Sequence, residues 1–239
     1  MTTSVPESAP TALPKLSSIT SKAVMALTGL GLLAFVIGHM IGNLQVFAGP
    51  EVINSYAEML KDKPALLWTV RIGLLTIFIV HIWLGVRLKL DNVAARPDSY
   101  AFRNTIQASL ASRTMIWTGL VILAFVIFHL AHYTFGIVTS ADGVNYLDLH
   151  DAKGRRDVYA MTVHGFKNVP VSFAYSIAQI LLGVHLSHGI GSLFQSLGVN
   201  HPRYTPWINR GGVALAVLIV LGNCSMPLAV LLNVIKLPA

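Results

Sequence analysis

Long apolar stretches dominate the chain, and their lengths predict helices that cross a membrane. A transmembrane helix needs roughly 20 residues to span a hydrocarbon core of about 30 Å. Five stretches are long enough and contain neither Asp nor Glu: residues 22–47, 66–89, 113–138, 169–196 and 210–234. The pattern therefore predicts an all-α integral membrane protein, with five transmembrane helices in a bundle within residues 21–239.

The polar segments predict what lies outside these helices. Residues 1–20 begin with a run rich in Ser, Thr, Pro and Ala, and they lack the basic start of a signal peptide, so we expect a mobile N-terminal tail. Segment 139–168 is polar and long enough for a short helix or hairpin of its own. The 87–113 connection puts five basic residues close to helix ends, which favours a cytoplasmic position for this connection and for the N-terminus.

Composition supports a membrane protein and excludes several kinds of site. Only 11% of the residues are charged, whereas a soluble domain carries about a quarter. The single cysteine, Cys224, excludes an internal disulfide, a four-cysteine zinc site and a thiolate-bound iron–sulfur cluster within this chain. The net charge of +7 fits basic loops that face a cytoplasm and anionic lipid, so we expect a lipid bilayer and no nucleic acid as partner.

Four histidines lie inside the apolar stretches, in two duplicated settings. The segment 28–39 shares Thr-Gly-Leu, Leu-Ala-Phe-Val-Ile and its final His39 with the segment 118–129, which ends in His129. Likewise Val-His-Ile-Trp-Leu-Gly around His81 is similar to Val-His-Leu-Ser-His-Gly around His185. A polar ring in such surroundings is costly unless it has a partner, so the duplication predicts paired ligands for two metal centres.

Depth in the membrane sorts these histidines in the same way as the duplication does. At 1.5 Å per residue, His39 and His129 lie roughly 25 Å from the cytoplasmic side of their helices. His81 and His185 each lie roughly 22 Å inward from the outer side. We therefore expect His39 to pair with His129 in the outer half, and His81 with His185 in the inner half.

Two imidazoles that face each other across a bundle are the arrangement that holds a b-type haem, and we expect one haem b at each pair. Nearby glycines could give the porphyrin clearance, namely Gly38, Gly42, Gly85, Gly119 and Gly189. Zinc is a poorer fit, because no carboxylate or thiolate completes a tetrahedron. The competing interpretation is that a single intramembrane histidine bonds a backbone carbonyl or lines a polar cavity, and four at matched depths count against it.

Five further histidines are less suited to the ligand role. His132 and His188 each lie three residues beyond a predicted ligand, almost one helical turn away, and the duplication aligns His129 and His185 instead. The remaining three are expected in solvated loops: His150, His164 and His201.

With these residues in place, the chain resembles the membrane anchor of succinate dehydrogenase or fumarate reductase. More narrowly, it is similar to the single-chain, five-helix, two-haem cytochrome b subunit of the cytochrome b558 family. The resemblance covers about residues 20–235. The residues that carry it are His39-Met40-Ile41-Gly42-Asn43-Leu44, His81 with Gly85, His129-Leu130, and His185-Leu186-Ser187-His188-Gly189 followed by Leu197-Gly198.

The resemblance implies the same four axial ligands, His39, His81, His129 and His185, for two haems b. It implies a multi-pass subunit of a bacterial inner (cytoplasmic) membrane, with a flavoprotein subunit and an iron–sulfur subunit on the cytoplasmic face. Electrons would pass between the iron–sulfur subunit and a quinone, for which menaquinone is expected. The subunit alone would not act on succinate. Fumarate-reductase-type relatives carry a glutamate where this chain has Gly183, which favours the succinate:menaquinone type.

The quinone site stays open at this stage, since donors for quinone carbonyls occur at both membrane sides. The outer candidates are Asn43, Gln45, Glu51, Glu58 and His132, and the inner ones are Arg87, Lys89 and His188. Two other functions also stay open. One is a dihaem cytochrome b of another quinone-linked respiratory complex. The other is a haem-free transporter, which is disfavoured because the spans hold no acidic residue.

Overall fold

The computed structural model describes residues 17–95, 109–138, 140 and 142–238. Residues 1–16 of the predicted tail lie outside this part of the chain, and the first helix begins at Ser18. The described residues form seven α-helices: α1 (Ser18–Leu44), α2 (Pro50–Lys61), α3 (Pro64–Ala94), α4 (Leu110–His129), α5 (Val158–Lys167), α6 (Val169–Ser196) and α7 (Thr205–Leu231).

Five of these helices are long and apolar enough to cross a membrane, as predicted. With the short turns that extend α1 and α4, the spans are Ser18–Ala48, Pro64–Ala94, Leu110–Thr134, Val169–Ser196 and Thr205–Leu231. The predicted boundaries differ from these by a few residues, and those of α6 agree. Large apolar side chains lie exposed along all five helices, for example Ile72 at 61% and Leu221 at 61%. Such a surface is compatible with a lipid bilayer.

Local sequence signals fix where the helices begin. The side chain of Ser17 accepts a hydrogen bond from the backbone N–H of Thr20 at the start of α1, and Ser109 does the same for Ser112 in α4. These contacts satisfy backbone donors that a helix start leaves without a partner. Proline occupies the first turn of α2, α3, α6 and α7, where its missing N–H costs nothing.

The five long helices pack in a fixed order. Helix α1 packs on α3, α6 and α7, and α6 packs on α4 and α7. Small residues allow the closest approach, since a side chain added at Gly183 would meet Val220 of α7, and one at Gly212 would come within 2.9 Å of Ile190. Helices α3 and α4 touch each other only lightly. Helices α1 and α3 therefore form one unit, which we call the α1–α3 unit, and helices α4 and α6 form the α4–α6 unit. The two units lie side by side, and α7 packs against α1 and α6.

The two ends of the bundle differ. We call α2, α5 and the described residues of 135–138 and 142–157 the cap, and the end that they cover the capped end. The end where α1, α4 and α7 begin is the open end. Helix α2 was not predicted, and it lies in the connection between the first two spans. Segment 139–168 does hold the expected short helix, α5, and a 3₁₀ turn at Tyr146–Asp148. The cap packs through buried Ile53, Val163 and Phe166 onto Val230 near the end of α7.

Candidate functional site

The structure places His39 in contact with His129, while His81 and His185 are linked by an electrostatic interaction. At the capped end, the ring centroids of His39 and His129 lie 5.8 Å apart, with an interplanar angle of 87°. At the open-end level, His185 interacts electrostatically with His81 and with His188. None of the four residues is fully buried by protein. Each pair joins one helix of the α1–α3 unit to one helix of the α4–α6 unit.

The spacing of the capped-end pair is somewhat shorter than that of two ligands on one metal ion. An imidazole nitrogen binds a transition metal at about 2.0–2.1 Å, and the ring centre lies about 1.2 Å further out, so two ligands on opposite sides of a metal would have centroids about 6.5 Å apart. The 5.8 Å between the rings of His39 and His129 is about 0.7 Å below this value, so the rings would move apart slightly to hold a metal between them. Among the described residues there is no group of three or more His, Cys, Asp or Glu that could hold a metal ion. Two histidines alone do not complete a tetrahedral zinc site.

At the open-end pair, the duplicated Thr-Gly dipeptide holds each histidine in the same way. The hydroxyl oxygen of Thr28 in α1 lies 3.3 Å from Nδ1 of His81 in α3. In the second unit, the hydroxyl oxygen of Thr118 in α4 lies 3.1 Å from Nδ1 of His185 in α6. We call these two contacts the threonine shelves.

In each threonine shelf, the hydroxyl oxygen can accept a hydrogen bond from the histidine ring. The Thr28 hydroxyl donates to the backbone carbonyls of Val24 and Met25, at 2.9 and 3.0 Å. The Thr118 hydroxyl donates to the carbonyls of Thr114 and Met115, both at 3.1 Å. Since the hydroxyl proton points along its own helix, the remaining role of its oxygen is to accept from a histidine N–H.

The threonine contact favours the same tautomer in both rings. With the threonine oxygen as acceptor at Nδ1, the proton of each neutral ring would lie on Nδ1 and the lone pair on Nε2. That tautomer is the one that binds a metal through Nε2, with the other nitrogen fixed by the protein.

Glycine makes room for these rings. A Cβ at Gly29 would lie 3.3 Å from Cε1 of His81, and one at Gly119 would lie 3.6 Å from Cε1 of His185. The predicted clearance glycines therefore differ in role. Gly119 seats a ring, while Gly38 and Gly189 face open space within 4 Å.

Protein side chains lie beside the other two glycines that were expected to give clearance. A Cβ at Gly42 would lie 2.8 Å from the hydroxyl oxygen of Tyr56, and one at Gly85 would lie 3.4 Å from Met25. Tyr56 of α2 therefore occupies the space beside Gly42.

The capped-end rings are surrounded by aromatic side chains. Phe35 stacks on His39 with centroids 5.2 Å apart, and Phe125, at the equivalent place in the duplication, lies 5.9 Å from His129. The hydroxyl of Tyr175 in α6 lies 3.3 Å from Nδ1 of His129. The same hydroxyl lies 2.9 Å from Nδ1 of the buried His132.

His132 and His188 have different partners from those of the predicted ligands. Both ring nitrogens of His132 have tyrosine partners, since Nε2 lies 3.1 Å from the hydroxyl of Tyr146. His132 is therefore a buried hydrogen-bonding residue, held in the five-residue π-helix Leu130–Thr134 that extends α4. His188 lies one turn from His185 and lines a cleft at the open end.

This cleft of about 340 Å³ lies between the last turns of α6 and the first turns of α4 and α7. Polar side chains form much of its wall, including His188, Ser192, Gln195 and Asn209. Within the described part of the chain, no hydrogen-bond partner occurs for these four side chains. The signal available in the sequence was only the inner position of His188.

The cap holds its polar groups in a network of ion pairs. Arg155, whose side chain is 8% exposed, lies 2.8 Å from Glu51 and 2.7 Å from Asp151. The guanidinium of Arg155, together with Lys153, lowers the pKa of Glu51 to about 2. The Arg155 side chain also holds the pKa of Asp151 below its usual value. Buried Asn54 joins α2 to this loop through hydrogen bonds to Asp157, at 3.0 Å, and to the N–H of Tyr159, at 3.1 Å.

Several predicted quinone residues therefore have protein partners. Glu51 belongs to the network around Arg155, and Glu58 lies 3.9 Å from the same guanidinium. Arg87 lies 3.7 Å from Asp91. Asn43 and Gln45 are half-buried where α1 passes into its 3₁₀ turn, and Lys89 is exposed on α3.

Two of the three histidines expected in solvated loops are exposed there. His150 contacts the carbonyl of Asp148 at 3.0 Å, and His201 accepts from the N–H of Arg203 at 3.1 Å. The prediction was wrong for His164, which lies in α5 with its side chain 16% exposed, 3.6 Å from Asp142. Comparisons with family models, curated proteins and solved structures find no match to this chain.

Proposed function

We propose that this chain is the membrane-anchor cytochrome b subunit of a succinate:quinone oxidoreductase. His39 and His129 would hold one haem b, and His81 and His185 the other. The single observation that carries the proposal is that His39 and His129, which the duplication aligns, lie in contact between the two helical units. When bound, each haem would supply a one-electron carrier inside the bundle.

The two pairs lie at different depths, which suits transfer across the membrane. Thr28 contacts His81, and His39 lies eleven residues further along α1, a rise of about 16 Å. Thr118 and His129 are separated by the same interval in α4. The protein's contribution is to hold Nδ1 of each inner ring, so that Nε2 stays available, and to keep the surroundings apolar.

The open-end cleft is the best-supported place for the quinone headgroup. Its volume lies within the range of about 300–1,000 Å³ that is usual for small-molecule sites. A quinone offers two carbonyl acceptors, and the side chains of His188, Ser192, Gln195 and Asn209 offer donors without a protein partner in the described residues. At the capped end, by contrast, Glu51, Glu58 and His132 already have partners.

The first experiment counts haems. The full chain is expressed, purified in detergent and assayed by pyridine haemochrome, and we expect about two haems b per chain. His185→Ala should lose one haem, while the matched variant His188→Ala should keep both. A protein free of haem would overturn the proposal and favour a transporter.

A second experiment tests the complex and the quinone. Purification of the tagged chain from its native membrane should bring down a flavoprotein and an iron–sulfur protein. Their absence, with two haems present, would favour a dihaem cytochrome of another quinone-linked complex. His188→Ala and Ser192→Ala should weaken binding of a menaquinone analogue at least several-fold, with Glu58→Gln at the capped end as control. An effect of Glu58→Gln alone would place the quinone at the other end.

A further inference from the structure

A buried chain of hydrogen bonds runs from His129 into the cap. Nδ1 of His129 lies 3.3 Å from the hydroxyl of Tyr175, which lies 2.9 Å from Nδ1 of His132. Nε2 of His132 then lies 3.1 Å from the hydroxyl of Tyr146. Tyr175 is 6% exposed, and His132 and Tyr146 are 1% exposed each. The chain thus joins α4, α6 and the 3₁₀ turn of the cap within the protein interior.

The bonding capacity of these groups gives the chain a direction. If His129 binds a metal through Nε2, its proton lies on Nδ1 and is donated to the oxygen of Tyr175. The single proton of Tyr175 is then donated to Nδ1 of His132, its shorter contact. His132 carries its own proton on Nε2 and donates it to Tyr146. One ligated ring therefore orients every proton as far as the cap.

The capped-end pair is unequal in this respect. The ring of His39 has aromatic neighbours, Phe35 and His129, and no hydrogen-bond partner within the described residues. At the open-end pair both rings have a threonine hydroxyl as partner, at equivalent atoms. Tyr175 therefore acts on one ligand of one pair only.

We infer that Tyr175 is a positioning residue that orients His129 and strengthens its electron donation to the metal at the capped-end pair. A hydrogen-bond acceptor at the remote nitrogen raises the basicity of a histidine ligand, which stabilises the oxidised metal and lowers its reduction potential. Donation by Tyr175 to His132 makes its oxygen a better acceptor for His129. The inference rests on the proposed haem function, and it assigns to the cap, through Tyr146, an influence on that potential.

The test uses the full chain with its haems and two matched variants. Tyr175→Phe removes the acceptor. Tyr159→Phe removes the hydroxyl of a buried tyrosine of the cap that is not part of the hydrogen-bond chain, since this hydroxyl donates to the carbonyl of Lys236. Potentiometric titration and electron paramagnetic resonance are recorded for each. We expect Tyr175→Phe to raise the midpoint potential and change the resonance of the one haem that His39→Ala eliminates. Tyr159→Phe should leave both haems unchanged.

Tyr146→Phe keeps the test decisive if Tyr175→Phe loses the haem. It leaves Tyr175 in place and weakens only the far end of the chain, so a smaller shift of the same sign is expected. If Tyr175→Phe binds two haems with unaltered potentials, the inference is overturned while the proposed function stands. If Tyr175→Phe loses the haem, unaltered potentials in Tyr146→Phe have the same meaning. A wild-type chain without haem would overturn the function itself.

Discussion

Both histidine pairs lie in duplicated segments, yet only one pair has equivalent contacts in the two units. At the open-end pair, Thr28 and Thr118 contact His81 and His185 through equivalent atoms. At the capped-end pair, the units diverge one residue before the histidine, where α1 has Gly38 and α4 has Phe128.

The divergence continues beyond the histidines. The position equivalent to His132 in α4 is Gly42 in α1, against which Tyr56 packs. The contacts of the open-end pair are thus repeated in both units, while the capped-end pair also depends on side chains that the cap contributes. The predictions below test this difference.

The largest expected effect is complete loss of haem, and it depends on which two histidines are replaced. Each haem needs both members of its pair. His39→Ala with His129→Ala should therefore leave about one haem per chain, whereas His39→Ala with His81→Ala should leave none. Pyridine haemochrome assays on purified protein check this. Equal haem content in the two double variants would refute the pairing.

A second prediction concerns the seats of the open-end rings. Gly29→Val and Gly119→Val place branched side chains against Cε1 of His81 and His185, so the rings must leave the threonine shelves. We expect loss of most of one haem in either variant, with the capped-end haem retained. Gly73→Val is the matched control, because Gly73 has nothing within 4 Å and is exposed on α3. Full haem content in both shelf variants would contradict the prediction.

A third prediction addresses the cap. Asn54 is 1% exposed and bonds both Asp157 and the N–H of Tyr159. Asn54→Leu leaves these groups without partners, and it should destabilise the cap by about 2–3 kcal/mol. Chemical denaturation, monitored by limited proteolysis of the cap, measures this loss of stability. Met59→Ala, on an exposed part of α2, should change little. The open-end haem should be unaffected, and a uniform loss of both haems would argue against separate ends.

The smallest expected effect is acid loosening of the cap. The folded-state pKa of Glu51, about 2, lies below its ordinary value of 4.5, and that of Asp151 is also lowered. Their contribution is therefore present above pH 4.5 and is lost as the pH falls towards 2. The free energy of unfolding of the cap, measured by chemical denaturation at a series of pH values, should fall across this interval and not between pH 7 and 5. Arg155→Gln should abolish this dependence, and its persistence there would exclude the network as the cause.

The sequence predicted the spans and the pairing of histidines because both depend on periodic or repeated local patterns. It did not predict α2, whose twelve residues form a short amphipathic helix inside a connection. It also missed Thr28, Thr118 and Tyr175, although the duplication begins at the two threonines. Their partners lie on other helices, so only the packed structure reveals which nitrogen each hydroxyl meets.

Packing gives a physical reason for glycine at position 183. Helix α7 approaches α6 so closely there that a Cβ would meet the side chain of Val220, with the carbonyl of Ala216 also nearby. A carboxylate side chain at this position would have to displace Val220.

The side-by-side arrangement of the α1–α3 and α4–α6 units carries a geometric consequence. Both units run in the same sense, so a rotation about a line along the bilayer normal, rather than an inversion, relates them. Every histidine pair takes one member from each unit, and the midpoints of both pairs must then fall near that line. Helix α7 has no counterpart among the described helices and lies off this axis. The duplicated helices alone therefore line the centre of the bundle.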